Sequence, residues 1–165
     1  MINSLKELRV KLSSDDLIKY YFESLNKTPE QILSLLKSNG IDATIECANE
    51  CYEFCKKVIA IEEKELNIVS GGTAHPSFPE NVSIEVERCI AILDGKITGD
   101  VQFARGKAQS LSTMLKRTLN EPYNPDSLFA ALQTVLLTIN VDSYFSPELG
   151  AVYNIANNLK SLILR

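Results

Sequence analysis

The stretch Ser77–Gly95, "SFPENVSIEVERCIAILDG", decides between two fold classes. Val82, Ile84 and Val86 alternate with polar residues, which is the period of a half-buried strand. Val82, Val86, Cys89, Ile90 and Leu93 instead follow the period of a helix. The second pattern is longer and accounts for more of the apolar residues, so the stretch reads as a helix. Ser77 and Glu80 offer a capping box at its start, and Asp94-Gly95 ends it. The same period continues downstream. Val101, Ala104, Ala108, Leu111, Leu115 and Leu119 form a second stripe. Asn124-Pro125-Asp126 opens a third, with Leu128, Ala131, Leu132, Val135, Leu136 and Ile139. Ser146-Pro147-Glu148 opens a fourth, with Leu149, Val152, Ala156, Leu159 and Ile163. An antiparallel four-helix bundle over residues 82–165 buries all of these stripes. The chain is therefore expected to be all-α.

Upstream, Ser70–Asn81, "SGGTAHPSFPEN", is the strongest break in the sequence, with two glycines and two prolines. It makes 73–81 a linker and 1–72 a separate helical segment. Leu5, Leu8 and Leu12 begin that segment at helical spacing, and Leu17, Ile18, Tyr21 and Leu25 follow. In "KTPEQILSLLKSNG", Thr28 is an N-cap, Pro29 suits the first helical position, and Gln31 completes a capping box. Ile32, Leu33, Leu35 and Leu36 supply the buried face, and Asn39-Gly40 stops the helix. Thr44 then starts a third helix.

Composition excludes several functions. The chain has 165 residues, 45% of them hydrophobic and 23% charged, with net charge −4. An acidic chain without a basic stripe is not a general nucleic-acid binder. The longest uncharged run, Ser127–Val141, is too short to span a bilayer comfortably. The first residues, MINSLKELRVKLSSDD, lack the apolar core of a secretory signal. Synthesis in the cytoplasm is expected, with any export after cleavage by another route.

The segment "LNKTPEQILSLLKSNGIDATIE", Leu25–Glu46, resembles the Nif-eleven-type (nitrile-hydratase-like) leader domain of bacterial peptide precursors. The matching residues are Thr28, Pro29, Glu30, Gly40, Thr44 and Glu46. Leaders of that family end in a double-glycine signal, and this chain has "IEEKELNIVSGG" at Ile61–Gly72. The resemblance covers residues 1–72. It implies that Ile61, Leu66 and Val69 form an apolar strip held by a papain-like peptidase domain on a transporter. Gly71 and Gly72 would pass through its narrow cleft, because neither has a side chain beside the scissile bond. The implied partner is a peptidase/transporter or maturation enzyme, and the implied role is non-enzymatic, without a cofactor. The chain departs from the family after Gly72. Family cargo is short and rich in Cys, Ser, Thr or Gly, whereas a patterned helical segment follows here, with Cys89 its one cysteine. The segment "YFSPELGAVYNIANNL", Tyr144–Leu159, also resembles part of the four-helix bacteriocin immunity proteins. An intact cytosolic interaction or immunity-like protein, never cleaved, is thus the alternative.

Cys47, Cys51 and Cys55 line one helix face at four-residue spacing. As zinc ligands they lack a fourth partner, unless His75 or Cys89 folds back. As small buried hydrophobes they pack against Leu33 and Leu36. No metal is expected. His75 is the one histidine and reads as a solvated loop residue. "DGKITGD", Asp94–Asp100, has neither P-loop nor EF-hand spacing and reads as a turn. Tyr123, Tyr144, Phe145 and Tyr153 are expected near loops at one end of the bundle. There they cap the core or form a partner-binding patch. The oligomeric state is open.

Overall fold

The computed structural model describes residues 1–12, 16, 20, 23–64, 74–99, 101 and 103–164, with backbone alone for 103–105 and 144. Among them the chain is all-α. Its helices are α1 (Leu5–Lys11), α2 (Pro29–Ser38), α3 (Ile45–Lys64), α4 (Glu80–Asp94), α5 (Phe103–Asn120), α6 (Pro125–Ile139) and α7 (Pro147–Ile163). A short 3-10 turn, Asp142–Tyr144, precedes α7. The chain divides into two compact units, Met1–Ala60 and Ile61–Arg165, so the division falls inside α3.

In the first unit the local signals act as their chemistry dictates. The Gln31 amide N–H donates to the Thr28 hydroxyl at 3.2 Å, and the Gln31 side chain accepts from Thr28 N–H at 2.9 Å. This reciprocal box satisfies two of the orphan donors at the start of α2. At its end, Gly40 N–H bonds to Lys37 O and Ile41 N–H to Leu36 O, both at 3.0 Å, with Gly40 at φ +79°. That is a Schellman motif, which needs a residue free to adopt the left-handed region. Thr44 caps α3 by accepting from Cys47 N–H at 3.3 Å. Just before it, Ile2 and Ala43 form a parallel bridge, in which Ile2 N–H donates to Asp42 O and Thr44 N–H donates to Ile2 O. Leu8, Ile32 and Leu36 are buried, with Cys47, Ala48, Cys51, Cys55 and Val58 on α3. Leu5, Leu12, Leu33 and Leu35 are half-buried. Leu17, Ile18 and Tyr21 lie outside the described residues.

In the second unit, α4 packs on α5 and α7, and α6 packs on α5 and α7. Short connections make successive helices neighbours, and α7 returns to α4. The helical reading of Ser77–Gly95 holds. Val82, Val86, Cys89, Ile90 and Leu93 are buried, whereas Ile84, central to a strand, is half-exposed. All six residues expected to face the core from α6 are buried. Leu128, Leu132, Val135 and Ile139 have no exposed surface, and each contributes roughly 1.5–3 kcal/mol of burial. Asn124 and Ser146 cap α6 and α7 through their side chains, each followed by proline at the first helical position.

One expected cap is absent. Pro79, not Ser77, is the N-cap of α4, and no side chain bonds there. The Ser77 hydroxyl instead accepts from Tyr123 N–H at 2.7 Å. Ser77 lies two residues before that N-cap, and its hydroxyl faces the α5–α6 connection instead of the first turn of α4.

Candidate functional site

Of the five residues implied as a recognition strip, Ile61 alone is described. It is half-buried on the last turn of α3. Leu66, Val69, Gly71 and Gly72 lie outside the described residues. The turn that carries Ile61 is held by side chains of its own unit. Arg88 on α4 reaches the α3 main chain, because its Nη2 donates to Glu62 O at 2.9 Å. Its Nη1 donates to both Glu85 carboxylate oxygens, at 2.9 and 2.7 Å. Arg88 is only 7% exposed.

Asn154 on α7 is buried, and its side-chain oxygen has no hydrogen-bond partner. Burial raises the pKa of Glu62, and the nearby Asn154 side chain and the charge of Arg88 offset only part of that rise. The sequence reading missed Glu62, Arg88 and Asn154. The available signal was local, since Glu85 and Arg88 sit three apart on a face that also carries Val86 and Cys89.

The thiol face lies in the first unit. Cys47, Cys51 and Cys55 are buried and free of disulfides. Cys51 and Cys55 line a small apolar cavity of about 20 Å³ with Leu5, Leu8, Leu36, Phe54 and neighbours. Leu36 is one of the two expected packing partners, and Leu33 does not line the cavity. Burial pushes the Cys55 thiol up to about 12. The Cys51 thiol is raised first by donating to Cys47 and then by burial, and the same bond lowers Cys47. Thiols raised in this way, Cys51 and Cys55, are neither nucleophiles nor ready ligands. Among the described residues no group of three or more His, Cys, Asp or Glu side chains is placed to hold a metal ion.

His75 is not a free loop residue. Its N–H donates to Leu119 O at 2.8 Å, and its Nδ1 accepts from Ser77 N–H at 3.1 Å. Nδ1 also lies 2.8 Å from the Ser77 hydroxyl. The adjacent Phe78 ring meets Tyr123 edge-on, with centroids 4.9 Å apart. Histidine, serine and the aromatic pair thus fasten the approach to α4 onto the α5–α6 connection.

The Asp94–Gly99 loop packs on the start of α7. The Thr98 amide and hydroxyl both donate to Glu148 Oε1. Two glycines there serve chain direction: Gly95 follows the end of α4, and Gly99 adopts φ +97°. The aromatic residues do not share one end. Tyr123 precedes α6 and Phe145 follows it, and α6 has 15 residues. At about 1.5 Å per residue, roughly 22 Å separates its two ends.

No helix among the described residues is long and apolar enough to cross a membrane. No protein-family model, curated protein or solved structure matches this chain.

Proposed function

We propose that the chain is a non-enzymatic precursor. Its first 72 residues act as a leader that docks to a double-glycine peptidase/transporter or maturation enzyme, and its later helices are the cargo. The observation that carries this reading is an order of parts. A Thr28–Gln31 capping box starts α2, a Gly40 Schellman turn ends it, and Thr44 starts α3. The α3 helix then runs to Lys64, directly ahead of Glu65-Leu66 and Gly71-Gly72. Ile61 lies on its last turn, where a peptidase would meet the first residue of the strip. The test is incubation of the full chain with the peptidase domain of a double-glycine transporter, read by mass spectrometry. The expected product begins at Thr73, and Gly71→Val abolishes it. An intact wild-type chain, or equal cutting of the variant, refutes the reading.

One observation favours a second reading, an intact interaction protein of the immunity-like kind. Arg88 binds the Glu62 carbonyl of α3 to a helix that follows the glycines. On that reading the full-length chain is the active form, and its mass in producing cells stays undivided.

A further inference from the structure

We propose that Arg88 and Glu85 form a receptor for the α3 main chain at Glu62, and that this receptor keeps residues 1–72 bound to 73–165 after scission between Gly72 and Thr73. The role of the receptor rests on the precursor reading, but the binding itself does not.

The ligand is defined by its chemistry. It is a helix main-chain carbonyl whose own residue carries a carboxylate. Glu62 supplies both, the carbonyl to Arg88 Nη2 and the carboxylate within the field of the same guanidinium. The receptor is built on α4, and its donor, Arg88, is buried at 7% exposure. Glu85 fixes the guanidinium by taking both bonds from Nη1, which leaves Nη2 aimed at the carbonyl. Charge-assisted bonds of this geometry are stronger and shorter than neutral ones. Every one of these contacts lies upstream or downstream of residues 65–73, so a cut there breaks none of them. Scission then yields a noncovalent pair, and release of the cargo becomes a separate event.

The test uses the full chain with a sequence-specific protease site inserted between Gly72 and Thr73, cut to completion. Size-exclusion chromatography and titration of the two pieces read the association. The wild-type pieces are expected to co-elute. Arg88→Met and Glu62→Lys, each in its own chain, are expected to weaken the pair by at least about tenfold. Wild-type pieces that elute apart overturn the proposal, as do variants that bind as tightly as wild type. If circular dichroism shows that Arg88→Met fails to fold, Glu62→Lys decides alone, because Glu62 belongs to the other piece. The inserted site works without a double-glycine peptidase. A chain that the peptidase leaves uncut therefore refutes the precursor reading and not the receptor.

Discussion

A Cβ placed on Gly99 would lie 1.8 Å from the carbonyl oxygen of Phe145, and Gly99 itself sits at φ +97°. The obstacle is main chain, so no side-chain rotation relieves it. Gly99→Ala is expected to destabilise the fold by roughly 3 kcal/mol, from backbone strain plus displacement of the α7 approach. Gly40 is the control, because it has φ +79° but nothing lies within 4 Å of where its Cβ would stand. Gly40→Ala should cost about 1 kcal/mol, the conformational penalty alone. Equal losses in urea denaturation would show that packing at Phe145 is not the cause.

Asp94 is predicted to support the fold in neutral solution and not in acid. Burial alone would raise its carboxyl, but Lys116 at 2.8 Å and the Ser112 hydroxyl at 2.5 Å outweigh that and hold it below its ordinary value. A depressed folded pKa gives stability that is present above the ordinary value of 3.8 and lost as pH falls through the folded one. Asp94→Asn should therefore cost under about 1 kcal/mol at pH 7, since the pair is partly exposed. The difference should vanish in strong acid. A variant equally weakened at all pH values contradicts the assignment.

Glu62 carries the opposite sign. Burial raises its folded pKa, so its contribution is fully present below the ordinary 4.5 and lost as pH rises through the folded value. Glu62→Gln keeps the shape of the side chain without its charge. Thermal melts should show the variant at least as stable as wild type at pH 7 and no better at pH 4. A clear loss at pH 7 would mean that the ionised carboxylate is a net stabiliser.

Three of the four thiols should be silent in the native state. Cys55 and Cys89 are both pushed up to about 12 by burial, and Cys51 is raised as well. Iodoacetamide at pH 8 is expected to leave these three unmodified over hours and to alkylate them within minutes in denaturant. Fast native modification of Cys51 or Cys55 would place them at a working surface instead of the core.

Short-range signals were legible in the sequence. The Thr28–Gln31 box, the Gly40 stop, the Asn124 and Ser146 caps and the α6 stripe all involve residues within a turn or two of each other. Each is settled by local sterics and hydrogen bonding. The features that were not legible involve distant partners. Ser77 stands three before Glu80, as a cap should, but its oxygen goes to Tyr123, 46 residues away. Nothing within a turn of Arg88 points to Glu62, yet its Nη2 donates to the Glu62 carbonyl 26 residues upstream. A sequence pattern specifies which face of a helix is apolar. It does not specify which carbonyl of another helix will need a donor.

The Ile2–Ala43 bridge carries a kinetic consequence. Thr44 N–H, at the start of α3, is satisfied by Ile2 O, 42 residues earlier in the chain. Closing so long a loop carries an entropy cost that local contacts within α2 and α3 do not. The N-terminal dipeptide therefore joins after the helices it ties together. Ile2→Ala should speed unfolding while leaving the refolding rate nearly unchanged, as expected of a residue that docks after the barrier.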